Sequence, residues 1–397
     1  MKELPIVIAG AGIAGLSAAL AIARARRRVL VLERAAALTE SGAGIQLSPN
    51  ASRHLQRWGL LERLRGAALE PRAVVIRRGR DSAVLARLPL RDAEQRWGAP
   101  YLVIHRADLQ QALRDAVAEV KDIELRLGIA VAGFAANQEQ VAVGAKHGLI
   151  RLRFEGAALI GADGLWSDVR ERLRLAGDAP PRPARRMAWR ATIPMTHLPE
   201  ELAAPEVNLW LGNRAHLVHY PLRGGTCVNL VAIVEDDAAG GETADFWNEA
   251  RDAKILKAKF ARWHKSAGDL LAAASEWRTW PLFDRAPLKH WSAGRVTLVG
   301  DAAHPMLPFL AQGAAQAIED AAALESALST NSDIAAGFRT YADARSARAA
   351  RIQAASRRQG DIYHMRDPAA LARDIVMRLL GPRRMLARQD WIYGYRE

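Results

Sequence analysis

The sequence predicts an α/β protein with a parallel βαβ-based layer, a separate antiparallel sheet and a helical C-terminal segment. Three observations support this prediction. Short apolar runs alternate with helical segments near the N-terminus, short alternating strands separated by glycine turns fill the middle, and the chain beyond residue 330 is helical in pattern and rich in Arg. At 397 residues the chain is long enough for two or three domains.

The first three elements form a βαβ unit. Leu4 to Ala9 is a short apolar run suited to a buried parallel strand, Ile13 to Ala25 is Ala-rich and helical, and Val29 to Glu33 is a second buried strand. Two further helices are predicted on this layer, at Ala51 to Leu64 and at Ala107 to Val120.

The character of the sequence changes after about residue 180. Four alternating segments predict an antiparallel meander: Met187 to Met195, Val207 to Leu211, Ala215 to Pro221 and Thr226 to Val234. The remaining predicted elements are a helix from Phe246 to Ala274, a buried strand from Arg295 to Gly300, a helix from Gly313 to Leu328, and helices up to Ala387 broken at Asp367-Pro368 and Gly381-Pro382.

The charge balance first suggests a polyanionic partner. Lys and Arg exceed Asp and Glu by 56 to 43, which gives a net charge of +13. Of the 56 basic residues, 48 are Arg and 8 are Lys, and they are scattered without the interleaved aromatics of a base-stacking surface. We therefore expect no nucleic-acid partner.

Cysteine content and hydropathy exclude further classes. A single cysteine, Cys227, rules out an intramolecular disulfide framework and a Cys-rich metal site, so no metal site is predicted and a cytoplasmic location is expected. Pro5 to Ala23 is uncharged and mostly apolar, but its glycines indicate a strand, turn and helix and not a membrane span or signal peptide.

The turn of the βαβ unit carries a glycine motif. Gly10, Gly12 and Gly15 follow the first strand and open the first helix, and Glu33 ends the second strand. In this context the first glycine allows the tight turn, the second lets backbone approach a pyrophosphate, and the third lets helix and strand pack closely. Glu33 lies at the distance expected for a ribose ligand. The motif predicts dinucleotide binding without distinguishing FAD from NAD.

Two further motifs follow predicted buried strands. Asp163-Gly164 comes after the apolar run Ala157 to Ile160, and by itself it is better explained as an ordinary Asp-Gly turn at the end of a strand. Gly300-Asp301 ends the strand from Arg295, and Gln312-Gly313 opens a helix soon afterwards. A carboxylate at the carboxyl end of a strand suits a polyol, while the N-terminus of a helix attracts negative charge.

Taken in order, these motifs resemble the group A flavoprotein aromatic hydroxylases, the para-hydroxybenzoate hydroxylase superfamily. The stretches Gly42 to Asn50, His105 to Leu109 and Gly300 to Asp320 are most similar to the branch of salicylate hydroxylase, 3-hydroxybenzoate 6-hydroxylase and 6-hydroxynicotinate 3-monooxygenase. The resemblance covers nearly the whole chain. It implies a Rossmann-like FAD-binding domain of the glutathione reductase type with an antiparallel-sheet substrate domain and a helical C-terminal segment.

The resemblance also implies domain bounds and cofactor contacts. The expected domains are a discontinuous FAD-binding domain (1–70, 100–180 and 276–330), a substrate-binding domain (71–99 and 181–275) and a C-terminal helical segment (331–397). FAD is the implied cofactor, and NADH or NADPH is the implied co-substrate, used without a separate nucleotide domain. The implied FAD-binding residues are Gly10, Gly12, Ala14, Gly15, Leu16, Glu33, Arg34, Gln46, Arg106, Asp163, Gly164, Asp301, Gly313 and Ala314.

The substrate side is predicted on the strand Ala215 to Pro221. Alternation places His216, Val218 and Tyr220 on one face, where a half-exposed structural histidine is the plain alternative to a pocket wall. The resemblance favours the pocket and adds Gln312 beside the flavin. Such enzymes attack an electron-rich ring with a flavin C4a-hydroperoxide, so His216 is expected to assist loss of the phenolic proton, with Tyr220 orienting or relaying.

Several roles stay open at this point. Pro305, Met306, Pro308 and Phe309 are expected to form an apolar wall that excludes water, and Arg190 or Arg223 could pair with a substrate carboxylate. The expected reaction is NAD(P)H- and O2-dependent hydroxylation of a small phenolic or hydroxylated heteroaromatic acid. The alternatives are a monooxygenase of a larger substrate, such as a polyketide or quinone precursor, and a non-catalytic FAD-binding protein. A homodimer is left open.

Overall fold

The computed structural model describes residues 4–38, 44–198, 200–236 and 249–396. Gly42 and Ala43, at the start of one predicted motif, lie outside the described residues. So do the first three residues of the helix predicted from Phe246.

Most strands of the described residues are three to eight residues long, and the longest is β12 with 13 residues. In chain order they are β1 (Ile6–Ala9), β2 (Val29–Glu33), β3 (Gly44–Leu47), β4 (Ala73–Arg78), β5 (Val84–Pro89), β6 (Leu102–His105), β7 (Ile123–Leu127), β8 (Ala130–Ala136), β9 (Val141–His147), β10 (Ile150–Gly156), β11 (Ala158–Gly161), β12 (Arg182–Pro194), β13 (Val207–Gly212), β14 (Ala215–Leu222), β15 (Cys227–Glu235), β16 (Glu249–Arg251), β17 (Trp277–Asp284), β18 (Ser292–Ala293) and β19 (Val296–Leu298).

The α-helices vary from one turn to eight. In chain order they are α1 (Ile13–Arg24), α2 (Pro49–Arg57), α3 (Leu61–Leu64), α4 (Ala93–Trp97), α5 (Arg106–Ala118), α6 (Asp168–Leu173), α7 (Ala253–Lys259), α8 (Lys265–Ala273), α9 (Gly313–Thr330), α10 (Ile334–Tyr363), α11 (Ala369–Ala387) and α12 (Asp390–Tyr393).

The N-terminal βαβ unit forms the centre of a six-stranded sheet with the order β18-β19-β11-β1-β2-β7. All neighbours in it are parallel except β18 and β19. The residues of β1 are buried, as the continuous apolar run predicts for a strand covered on both faces. The predicted parallel layer is therefore confirmed, and its carboxyl ends meet along one edge.

The predicted meander forms the centre of a larger sheet with the order β16-β17-β12-β15-β14-β13-β4-β5. Strands β12 to β15 are antiparallel as expected, whereas β13 pairs with β4 in parallel and makes the sheet mixed. Strand β17 also belongs to this sheet, although it lies beyond residue 275. The division into domains itself stays a prediction.

Two predicted helices are interrupted. The helix expected from Phe246 to Ala274 is replaced, in its described part, by β16, α7 and α8, because the side chains of Asp252 and His264 each accept a backbone N–H and begin a new helix. The helix expected from Ala51 to Leu64 is divided at Gly59, whose positive φ of 73° ends α2.

The C-terminal part is helical as predicted. Helix α10 is 30 residues long and lies beside α9, and α11 is kinked where Gly381 adopts a φ of 67° before Pro382. Within the described residues, none of the helices combines the length and the apolar character that crossing a bilayer requires.

Candidate active site

A cavity of about 640 Å³ lies between the carboxyl ends of the parallel strands and one face of the large sheet. Clefts outside these strand ends are the usual ligand sites of open α/β sheets. The cavity brings together most of the predicted site residues: Gly10, Gly12, Ala14, Glu33, Arg34, Gln46, Arg106, Asp163, Gly164, His216, Tyr220, Asp301, Gly313 and Ala314.

The three glycines of the first motif differ in what surrounds them. A β-carbon at Gly10, where φ is +105°, would lie 2.6 Å from the carbonyl oxygen of Ala162, and one at Gly15 would lie 1.9 Å from that of Gly10. At Gly12 a β-carbon would meet no protein atom within 4 Å, because this residue borders the cavity. Gly15 and the buried Leu16 do not line the cavity, so their contribution is to the packing of α1 on the sheet.

The N-terminus of α1 is open towards the cavity. Its N-cap residue is Gly12, which has no capping side chain, and its first turn contains no acidic residue. The backbone N–H groups and the positive end of the helix dipole there are suited to a phosphate. Glu33 lies nearby, where its carboxylate accepts the backbone N–H of Ala11 at 2.7 Å and of Ala35 at 2.8 Å. The remaining lone pairs of this carboxylate are available to hydroxyl groups.

Asp301 and the start of α9 form a further part of the cavity wall. Gly300 adopts a φ of +59°, and its N–H donates to the buried Asp320 at 2.9 Å, which holds the turn that presents Asp301. The side chain of Asp301 is exposed to the cavity, where desolvation by the surrounding protein raises its pKa and the charges of His304 and Arg106 act in the opposite direction. Gly313 and Ala314 begin α9, whose N-terminus again lacks a capping side chain and an acidic first turn.

Asp163 has a structural role in the turn that follows β11. Its carboxylate accepts hydrogen bonds from Ser167 Oγ and from the backbone N–H of Val169, at the start of α6. Burial raises its pKa, and these hydrogen bonds oppose the rise. Gly164 adopts a φ of +80° beside it and exposes backbone to the cavity. Asp163 therefore stabilises the turn, while its predicted contact with FAD stays a prediction.

The predicted face of β14 is part of the cavity wall. His216, Val218 and Tyr220 all line it, and Val231 and Ile233 of β15 stand opposite Val218 and His216 in register. On the other face, His219 is buried and its Nδ1 accepts a hydrogen bond from Trp210 Nε1 at 3.2 Å. The alternation of side chains along β14 thus places His216 on the cavity and His219 on the opposite, structural face.

His216 and Tyr220, the two polar residues of this face, are buried. Burial, then the neighbouring His364 and Arg186, lowers the pKa of His216 well below its usual value. Burial raises the pKa of Tyr220, whose ring requires glycine at position 44, since a β-carbon there would lie 2.7 Å from Tyr220 Cε2. At neutral pH His216 is an uncharged imidazole that can accept a proton, and Tyr220 is a neutral phenol.

Gln312 lies in a buried hydrogen-bond network. It does not line the cavity, and its buried amide donates to Ser48 Oγ at 2.8 Å and accepts from Asn50 Nδ2 at 3.0 Å. These hydrogen bonds orient the amide of Gln312, and its contact with substrate stays a prediction. Of the predicted apolar wall, Met306 and Pro308 line the cavity, whereas Pro305 and Phe309 are buried behind it.

The structure separates the two candidate carboxylate partners. Arg190 of β12 lines the cavity, where its guanidinium lies 4.9 Å from the ring centroid of Trp280. Arg223 is on the surface and pairs with Asp108 at 2.9 Å. Of these two candidates, Arg190 is therefore the one that a ligand in the cavity can contact.

A buried polar network behind the cavity was missed at the sequence level. Arg345 of α10 donates to Asp320 at 2.9 Å and pairs with Glu319, while His304 Nε2 lies 2.6 Å from Asp320 Oδ2. The sequence signal for this network was the pair Glu319 and Asp320 inside the Ala-rich α9, because buried carboxylates require partners. Within the described residues, the side chains of His, Cys, Asp and Glu form no group of three or more that could hold a metal ion.

Comparisons with known proteins agree with this geometry. A family model described as an FAD binding domain matches residues 3–357. The chain is 38% identical to 3-hydroxybenzoate 6-hydroxylase 1 of Aquipseudomonas alcaligenes, over 98% of this chain and 97% of that protein. It is 34% identical to 6-hydroxynicotinate 3-monooxygenase of Bordetella bronchiseptica, over 88% and 90%. A solved structure titled as a salicylate hydroxylase substrate complex superposes with a TM-score of 0.84 at 26% identity, covering 100% and 96% of the two chains.

Proposed function

This chain belongs to the FAD binding domain family, as an FAD-dependent monooxygenase of the aromatic hydroxylase type, and from that premise we propose that it hydroxylates a small phenolic or hydroxylated heteroaromatic acid. The observation that carries the proposal is the single cavity that joins a dinucleotide cradle to His216, Tyr220 and Arg190. Relatives named for hydroxybenzoate and hydroxynicotinate support the substrate class.

The cavity fits FAD along its length. The open space at Gly12 and the uncapped N-terminus of α1 suit the pyrophosphate, and the free lone pairs of Glu33 suit the adenosine ribose. Asp301 would hold the ribityl chain, and the N-terminus of α9 would favour negative charge on the ring. When bound, FAD takes hydride from NADH or NADPH and activates O2 for insertion into the aromatic ring.

The residues of the large sheet act on the substrate. A neutral His216 accepts the phenolic proton as the ring becomes electron-rich, and Tyr220 orients the same group by a hydrogen bond. Arg190 pairs with the carboxylate through charge-assisted hydrogen bonds. Met306 and Pro308 cover the reacting side with apolar surface and keep water away from it.

Three further statements belong to the same proposal. NADH or NADPH approaches without a nucleotide domain of its own, as the lack of a second glycine motif suggests. A cytoplasmic location is consistent with the single cysteine. A homodimer is the oligomeric state that we would test first, by sedimentation of the flavin-loaded protein.

The experiment is product identification across a substrate panel. Purified holoenzyme is mixed with NADH or NADPH, isotopically labelled O2 and a series of hydroxybenzoates and hydroxynicotinates, and products are identified by mass spectrometry. We expect one panel member to stimulate NAD(P)H oxidation and to gain one labelled oxygen atom. Stimulation only by a bulky phenol would move the substrate class to larger molecules, and flavin binding without any stimulated oxidation would favour a non-catalytic protein.

The role of His216 is tested in the same assay. We expect His216→Ala to lower kcat by about 10²- to 10⁴-fold, the usual contribution of a general base. A variant that binds FAD and hydroxylates at the normal rate would disprove this role.

A further inference from the structure

The imidazole of His216 is joined to a second buried imidazole. His216 Nδ1 lies 2.8 Å from Nε2 of His364, which caps the C-terminal end of α10. Both side chains are almost fully buried, and the rings of Phe309 and Tyr363 pack against His216. Since Nδ1 is engaged by His364, Nε2 is the nitrogen that His216 offers to a molecule in the cavity.

The far side of His364 leads towards solvent. Its Nδ1 is buried without a hydrogen-bond partner and lies 3.7 Å from Oε1 of Glu235, the last residue of β15. Glu235 retains 22% of its side-chain exposure and is held by Arg214 at 2.7 Å and Arg366 at 3.6 Å. A partly exposed carboxylate thus faces an imidazole nitrogen that lacks a hydrogen-bond partner.

We propose that His364 and Glu235 form a proton outlet for His216, through which the phenolic proton of the substrate reaches solvent. The proton binds His216 Nε2 while the proton on His216 Nδ1 passes to His364 Nε2, and the proton on His364 Nδ1 passes to Glu235. Each imidazole gains one proton and loses one, so both end neutral with exchanged tautomers. Glu235 then releases the proton to water, and no other reactant is needed.

The charges around the pair favour this neutral exchange over storage of the proton. Burial first, and then positive neighbours, hold the pKa of His216 well below its usual value and that of His364 at about 3. The charged groups that face the pair are Arg186 on β12, Glu235 on β15, Asp361 on α10, Arg366 after α10 and Arg373 on α11. A base that cannot remain protonated at neutral pH requires a route by which the proton leaves.

The test uses His364→Gln, because glutamine can still accept the hydrogen bond from His216 Nδ1 but cannot pass a proton onwards. The inference rests on the proposed function, so the substrate is whichever phenolic acid the wild-type enzyme hydroxylates. Formation of the phenolate is followed by its absorbance after stopped-flow mixing of substrate with oxidised holoenzyme, between pH 6 and 9. His219→Gln is the matched control, because His219 is equally buried on the same strand but lies on the opposite face.

For His364→Gln we expect phenolate formation and kcat to fall about 10- to 100-fold, with FAD content and substrate KM unchanged. The remaining rate should rise with pH and with buffer concentration, because base from solution must now remove the proton. Glu235→Gln should reproduce the effect in part, and His219→Gln should stay within about twofold of wild type.

Other results would overturn the proposal. If His364→Gln keeps the wild-type rates of phenolate formation and the wild-type pH profile, the enzyme does not need the outlet. If the decrease in rate disappears when rates are divided by the amount of bound FAD, His364 has only a structural role. If no phenolic acid stimulates NAD(P)H oxidation by the wild-type enzyme, the proposed function fails and the proton outlet fails with it. Activity in the wild type with no effect in the variant rejects the outlet only.

Discussion

Replacement of Arg345 by leucine should destabilise the protein by about 3–5 kcal/mol, the usual effect of breaking a buried ion pair by removing one partner. Arg345 is fully buried, donates to Asp320 at 2.9 Å and to Gln316 Oε1 at 2.7 Å, and pairs with Glu319. Glu319 keeps a second guanidinium partner in Arg348 at 2.7 Å, whereas Asp320 keeps only the imidazole of His304 at 2.6 Å and the backbone N–H of Gly300 at 2.9 Å. The carboxylate that loses most compensation in the variant is therefore that of Asp320.

The assay is urea unfolding followed by tryptophan fluorescence. At an m value of about 3 kcal/mol/M, the predicted loss lowers the urea midpoint by roughly 1–1.7 M. Arg96→Leu is the control, since it removes an exposed pair with Asp390 and should cost at most about 1 kcal/mol. Adding Asp320→Asn to Arg345→Leu should recover part of the loss, because the carboxylate that lost its guanidinium partner is then replaced by a neutral amide.

The pH dependence follows from the shift of Asp320. Burial acts to raise the pKa of Asp320, but the charges of His304 and Arg345 outweigh it and leave the pKa below its usual value. A lowered pKa in the folded state stabilises the protein above the unfolded value of about 4 and ceases to do so as pH falls through the folded value. The difference between wild type and Arg345→Leu should therefore be largest at neutral pH and shrink in acid. Equal unfolding midpoints at pH 7 would refute the reasoning.

Two further pairs of variants test the cavity. Arg190→Met should raise the substrate KM by about 10- to 150-fold, which corresponds to the loss of a charged hydrogen bond of about 1.5–3 kcal/mol. Arg223→Met should leave the substrate KM unchanged, because Arg223 lies on the surface. Equal effects of the two substitutions in steady-state kinetics would reject Arg190 as the carboxylate partner. Gly12→Ala should unfold normally as apoprotein but bind FAD more weakly in a fluorescence titration, because its β-carbon enters the cavity. Gly15→Ala should lose about 1–3 kcal/mol of apoprotein stability, because its β-carbon meets the carbonyl of Gly10. Equal stability of the two apoproteins would contradict this distinction.

The sequence alone was sufficient for the features that depend on local pattern. The βαβ unit, the glycine turn with Glu33, and the shared face of His216 and Tyr220 follow from the periodicity of strands and the conformational needs of turns. Such features involve neighbours in the chain, so the residues that specify them are close together in the sequence.

The tertiary structure alone decided which side chains meet across long distances. Arg190 and Arg223 are equivalent in the sequence, and only the packing of the large sheet places the first on the cavity and the second against Asp108. The side chain of Gln312 forms hydrogen bonds with Ser48 and Asn50 in a buried network. His364 contacts His216 from the end of a helix that begins more than a hundred residues later in the chain. Contacts of this kind depend on how separate elements pack against each other, so they cannot be predicted from the residue spacing within one element.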